Sequence, residues 1–234
     1  MGQPAPDRTV RYGSGESQVV DLYGPGKGRP RVTVLHGGYW RQAYDRRHLA
    51  PFAASLAADG FAVELVEYRR VGGGGGWPRT AQDVDAALTR LGGPPRVLLG
   101  HSAGGQLALW AASVRERAAP RVVAVAPVAD LARAHELRLS DGAVAAFLGG
   151  ADGDEAAVAA ALPEADPMRL APRVPVALVH GTLDESVPVE LSRRYAEHAT
   201  DSVTGLHLVF GAGHFAPLTP GTRAYGSLVG ALGR

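Results

Sequence analysis

The sequence predicts an α/β protein with a mostly parallel central sheet, helices on both faces and a short helical cap insertion. Two observations carry that expectation. Short, continuously apolar runs recur along most of the chain, and amphipathic helical patterns separate them. A parallel strand is covered on both faces, so it reads as an unbroken apolar run and not as an alternation. Repeated strand–helix units of this kind build an open sheet with helices on each side.

The elements follow in order. Arg31–His36 reads as a strand, and Leu49, Phe52, Ala53 and Leu56 then fall on one helical face. Phe61–Glu67 is the next strand. Thr80-Ala81-Gln82-Asp83 reads as a capping box, opening a helix that turns Val84, Leu88 and Leu91 inward. Arg96–Gly100 is a strand, and Leu107, Trp110, Ala111 and Val114 line the helix after it. Arg121–Pro127 and Val174–His180 are further strands. Pro188 opens a helix that runs to about His198, Leu206–Phe210 is a late strand, and Tyr225, Leu228, Val229 and Leu232 mark a last helix.

The pattern breaks between about Asp130 and Ala171, where alanine is frequent and no strand is visible. This segment is expected to be a cap-like insertion in a single domain spanning residues 1–234. Ligands of open parallel sheets bind beyond the carboxyl ends of the strands, so an insertion there would roof the site. The run Gly72–Gly76 fits neither a phosphate loop nor a dinucleotide fingerprint and is expected to be a flexible loop.

Composition narrows the function classes. The 234 residues hold no cysteine, which removes disulfides, thiolate nucleophiles and Cys-ligated zinc. Lys and Arg number 24 against 23 Asp and Glu, a balance that argues against an electrostatic nucleic-acid binder. Lys27 is the one lysine, and Ala, Gly, Arg and Pro make up nearly half the chain, a bias we ascribe to GC-rich codons and not to disorder. Met1–Asp7 has no basic region followed by an apolar core. Val97–Val114 carries no charge, yet Gly100, His101, Ser102, Gly104, Gly105 and Gln106 lie in it, so a strand, turn and helix explain it better than a membrane span. The expectation is a cytoplasmic protein acting on a small molecule, with no nucleic-acid or membrane partner. The oligomeric state cannot be read from the sequence.

One segment carries chemistry. Gly100-His101-Ser102-Ala103-Gly104 matches G-x-S-x-G, with the apolar strand Val97-Leu98-Leu99 before it and a helical pattern after it. Such a turn lifts a serine hydroxyl off the sheet, and small neighbours are required for it to close. A hydroxyl needs a base. Of the eight histidines, His48 and His198 are expected on helix surfaces, while His180 and His207 belong to strands. His214, in the small-residue loop Gly211-Ala212-Gly213-His214-Phe215, is the candidate base. The base needs a carboxylate, for which Asp184 in His180-Gly181-Thr182-Leu183-Asp184-Glu185 is the candidate and Asp130 the competitor. The order Ser102, Asp184, His214 is the one this architecture expects. An oxyanion needs donors. The amide of Ala103 is one, and His36-Gly37-Gly38-Tyr39-Trp40 should supply the other, with Gly38 first and Gly37 and Tyr39 beside it. Tyr39, Trp40 and Trp77 are candidate substrate-pocket residues. No H-E-x-x-H and no spaced carboxylate cluster is present, so no metal or cofactor is expected.

Together, His36–Trp40, Gly100–Gly105, His180–Pro188 and Gly213–Phe215 resemble the α/β-hydrolase fold over essentially the whole chain from about Ser17. Within that fold the His36–Trp40 loop is similar to kynurenine formamidases (arylformamidases) and to small esterases of the hormone-sensitive-lipase-like group. The resemblance implies serine hydrolysis of an ester or formamide through an acyl-enzyme, with Ser102, Asp184 and His214 as nucleophile, acid and base. Two departures stand out. Tyr39 replaces the usual third glycine, and Arg70-Val71 follows Tyr68-Arg69 where a Leu-Ala-Pro segment is usual. The same residues would serve an acyltransferase, lactonase or cyclase. A non-catalytic binding protein is disfavoured because all three candidate residues are present.

Overall fold

A computed structural model of the chain describes residues 3–92, 95–115, 119–149 and 154–233. Eight strands form one sheet: β1 (Arg8–Arg11), β2 (Val19–Tyr23), β3 (Arg31–Leu35), β4 (Ala62–Val66), β5 (Val97–His101), β6 (Val122–Val125), β7 (Val176–Gly181) and β8 (Val203–Val209). Their order is β1-β2-β4-β3-β5-β6-β7-β8. The pairs β1·β2 and β2·β4 are antiparallel, and every pair from β4·β3 onward is parallel. The sequence pattern does not reveal β1 and β2. β1 lies at the sheet edge, where Arg-Thr-Val-Arg is mostly exposed, so no apolar run marks it.

Helices cover both faces. On one face α1 (Ala50–Ala58) and α8 (Arg223–Leu232) press Phe52, Leu56, Leu228 and Leu232 onto Val32, Val34, Val97 and Leu99. On the other face α2 (Arg79–Arg90), α3 (Ala103–Val114) and α7 (Val189–His198) bury Val84, Leu107 and Leu191 against Leu35, Leu98 and Leu178. Adjacent strand residues thus serve opposite cores, which is why β4, β5, β6 and β7 are buried at every position.

The break in the pattern holds α4 (Leu131–Glu136), α5 (Leu139–Leu148) and α6 (Glu155–Ala165); residues 150–153 lie outside the described residues. Asp166 ties the two ends of the segment together, accepting from the amides of Leu131 and Ala132 that open α4. α5 begins with Ser140, Asp141 and Gly142 all at positive φ, a left-handed turn before the regular helix.

Two local expectations are corrected. The helix near Thr80 starts at Arg79, and Thr80 does not cap it. Its hydroxyl donates to the Arg69 carbonyl, while Asp83 pairs with the Arg69 guanidinium, so both side chains serve the preceding loop. The glycine run is a folded turn and not a loose loop. The amides of Gly73 and Gly75 both donate to the Arg70 carbonyl, and a Cβ on Gly75 would lie 2.3 Å from the Arg69 carbonyl carbon.

Candidate active site

Ser102 sits where β5 turns into α3, with φ 56° and ψ −119°. A serine held there is strained, and the surroundings over-determine it. Its amide donates to Val125 on β6, and its carbonyl accepts from Gly105, Gln106 and Val128. The turn tolerates no Cβ on either side. One on Gly100 would fall 2.2 Å from the Gly104 carbonyl oxygen, and one on Gly104 2.2 Å from the Leu35 carbonyl oxygen. The start of α3 lies directly behind the hydroxyl, an environment that favours developing negative charge.

His214 follows β8 and carries the second part of the arrangement. Its Nδ1 donates to Asp184 Oδ2 at 2.7 Å. Asp184 follows β7, and its side chain is fully buried. Its Oδ1 accepts from the amides of Ser186 (2.9 Å) and Val187 (2.8 Å), closing a turn that fixes the carboxylate. Burial by itself would raise the Asp184 carboxyl. Hydrogen bonds from His180 and His214, the charge His214 takes up, and the Val187 amide outweigh it and hold the group well below the usual carboxylate range.

The competitor Asp130 is occupied elsewhere. Its Oδ1 caps α4 through the Arg133 amide, and its Oδ2 accepts from Arg194 Nε at 2.7 Å.

The loop after β3 completes the group. Gly38 has φ 105°, and a Cβ there would lie 2.4 Å from Tyr44 Cβ. Among the described residues, neither the Gly38 nor the Ala103 amide donates to an acceptor in the protein. Gly37 takes a different place from the one expected. It lies behind the serine, where a Cβ would be 2.9 Å from Ser102 Cβ, and it does not line the cavity. The loop rests on a buried ionic cluster. His36 Nε2 is 2.9 Å from Glu67 Oε1, the Tyr68 hydroxyl donates to the His36 carbonyl at 2.6 Å, and Arg70 donates to Glu67.

A cavity of about 490 Å³ opens over this group, lined by Ser102, His214, Gly38, Tyr39, Tyr44, His48, Ser140, Ser186 and Phe215. The structure therefore brings Ser102, His214, Gly38 and Tyr39 to one cavity. The expected insertion reaches it through Ser140. The two tryptophans are not there. Trp40 is fully buried, stacked on Phe147 at 4.3 Å, and its indole donates to Gln106. Trp77 packs edge-on against Trp110 and Phe147, away from Ser102. Tyr39 and Trp40 are adjacent and both have positive φ, so the loop sends one ring to the cavity and buries the other.

Sequence reasoning missed four histidine environments. His180 is buried beside Asp184 Oδ2 at 3.2 Å and meets Ser192 Oγ at 2.7 Å. His101 Nε2 donates to the His214 carbonyl, and burial together with the nearby His214 ring holds it well below the usual histidine range. His36 joins the Glu67 cluster. His48 lines the cavity. The first three were hidden because a strand-end histidine gives no sign of which strand end it will face.

Solved structures share this fold. Esterase B from Lactobacillus rhamnosis superimposes with a TM-score of 0.78 at 22% identity, over 99% of this chain and 86% of that one. Thermogutta terrifontis esterase 2, phosphonylated by sarin, gives 0.73 at 20% identity, over 99% and 94%. A Silicibacter sp. TM1040 protein with a provisional thioesterase assignment gives 0.73 at 26% identity, over 95% and 86%. Comparison with curated proteins finds no match. The model of the alpha/beta hydrolase family matches residues 34–224. That match takes in the serine turn, the Asp184 loop and the His214 loop, and by it this chain belongs to the alpha/beta hydrolase family.

Proposed function

We propose that the protein is a serine hydrolase that cleaves small acyl esters or formamides through an acyl-enzyme. The observation that carries this reading is the 2.7 Å Asp184–His214 hydrogen bond, with His214 and the strained Ser102 lining one cavity. Ser102 Oγ attacks the substrate carbonyl carbon while His214 Nε2 takes the hydroxyl proton. The carbonyl electrons move onto oxygen, and the N–H groups of Gly38 and Ala103 donate hydrogen bonds to that oxyanion. Collapse expels the alcohol or amine, which takes the proton back from His214. Water then attacks the acyl-enzyme by the same route and releases the acid and Ser102.

We take the acyl group to be small. Tyr39, Tyr44 and Phe215 line a cavity of about 490 Å³, within the range for small-molecule sites and large enough for a small acyl group together with its leaving group. No helix among the described residues is long and apolar enough to cross a membrane.

The test compares wild type with Ser102→Ala on p-nitrophenyl acetate and on N-formylkynurenine. Loss of about 10⁶-fold in turnover is expected in the variant. Two structural neighbours are esterases captured with phosphorus inhibitors. The same class of reagent is expected to label Ser102 in the wild type. Retained activity in Ser102→Ala, or equal turnover of long-chain acyl esters, overturns the reading.

A further inference from the structure

His48 lies in the short helical turn Arg46–Leu49 and lines the cavity with Ser102 and His214. Its Nδ1 is 2.5 Å from the Asp45 carbonyl. A carbonyl only accepts, so Nδ1 carries the proton, and Nε2 of the neutral ring holds a lone pair. Burial, followed by the nearby His36, keeps the ring below the ordinary histidine range and so neutral at neutral pH. No group among the described residues donates to Nε2, and that atom is not sealed from solvent.

Two rings set its plane. His36 meets it edge-on at 5.7 Å and 87°, and Phe215 at 6.4 Å and 88°. Phe215 in turn meets His214 edge-on at 5.0 Å. His214, Phe215 and His48 therefore make one continuous wall. A leaving group must lie beside His214, because that ring returns its proton. Extended along Phe215, the same group arrives at His48. Serine and tyrosine hydroxyls on the lining can both donate and accept, whereas His48 can only accept.

We propose that His48 Nε2 selects the leaving group, accepting a hydrogen bond from an O–H or N–H that an aryl alcohol or aryl amine carries away from the scissile bond. The substrate class is thus an aryl ester or formanilide with a second donor on its ring. This rests on the serine hydrolase reading given above.

The experiment measures kcat/KM for 3-hydroxyphenyl acetate against 3-methoxyphenyl acetate, whose phenols have similar acidity. Wild type is expected to prefer the hydroxyl compound by about tenfold, the value of one well-made hydrogen bond. In His48→Phe, which keeps a flat ring and removes the acceptor, the ratio is expected to fall to within about twofold of one. The ratio is unaffected by a general loss of activity. If the Phe variant fails to fold, His48→Met is read in the same way. A wild-type ratio near one, in an enzyme that Ser102→Ala silences, overturns this proposal alone. So does a preference that survives in the variants. Turnover that survives Ser102→Ala overturns the nucleophile assignment and this proposal with it.

Discussion

The hydroxyl of Tyr39 donates to the carbonyl of Ser186. That single bond fastens the loop after β3, which holds the Gly38 amide, to the loop after β7, which holds Asp184. Two parts of the proposed machinery come from strands that are not neighbours in the sheet, and Tyr39 closes the gap between them. Burial, with the Asp184 charge behind it, pushes the Tyr39 phenol up to about 12, so it remains a donor throughout the neutral range. Tyr39→Phe removes the bond and keeps the ring. It is expected to lower stability by about 1 kcal/mol and to reduce kcat/KM several-fold. Thermal unfolding and steady-state kinetics on p-nitrophenyl acetate measure the two effects. No change in either would show that the two loops hold their places without the latch.

Asp184 and Asp130 give a paired test of the acid. Asp184→Asn is expected to cost about 10⁴-fold in kcat, because the amide cannot hold His214 in the right tautomer. Asp130→Asn keeps the oxygen that caps α4 and gives up only its charge pairing with the exposed Arg194, so it is expected to leave kcat within about twofold. The reverse outcome would reassign the acid to Asp130.

Gly38→Ala tests the oxyanion loop. The new methyl group would meet Tyr44 at a backbone angle that disfavours side chains. The loop must shift, and the donor at Gly38 shifts with it. Loss of one such donor is expected to cost about 10²-fold in kcat, with KM changed little. A kcat equal to wild type on p-nitrophenyl acetate would remove Gly38 from the oxyanion site.

Glu67 links acid stability to the site. Burial would raise its carboxyl, but the His36 hydrogen bond, the His36 ring, the Arg46 amide and Arg70 bring it down to about 2, from an ordinary 4.5. A carboxyl lowered by folding adds stability that is complete above its unfolded value and is lost as pH falls through the folded one. The window is therefore about pH 4.5 down to 2, and the contribution is roughly 3 kcal/mol. Urea unfolding across that window should show a steep loss in wild type and a shallower one in Glu67→Gln. Parallel curves for the two proteins would exclude Glu67 as the source.

Much of this was legible in the chain itself. The serine turn could be read because its glycines are demanded by backbone contact, and steric demand of that kind leaves a local mark in sequence. The pairing of Asp184 with His214 could be read because both follow apolar strands in a fixed order. The roles of Trp40 and Tyr39 could not be read. They are consecutive, similar in size and both at positive φ, and only the position of Phe147 decides which one is buried. His48 was expected on a surface because its helical face was judged without the wall formed by Phe215, a residue 167 positions away. Thr80-Ala81-Gln82-Asp83 had the composition of a cap, but its Thr and Asp are recruited by Arg69.

The contacts around Gly100 and Gly104 have a bearing on how such an enzyme changes over time. At both positions the obstacle to a side chain is main-chain carbonyl, which no neighbouring substitution can trim away. The frame behind the serine is therefore closed to drift. Tyr44, Ser140 and Ser186 stand around the opening, apart from that frame, whereas the Phe215 ring packs on His101 and His214. New substrate ranges, in nature or in a directed library, should arise at those three rim positions while the chemistry beneath them stays fixed.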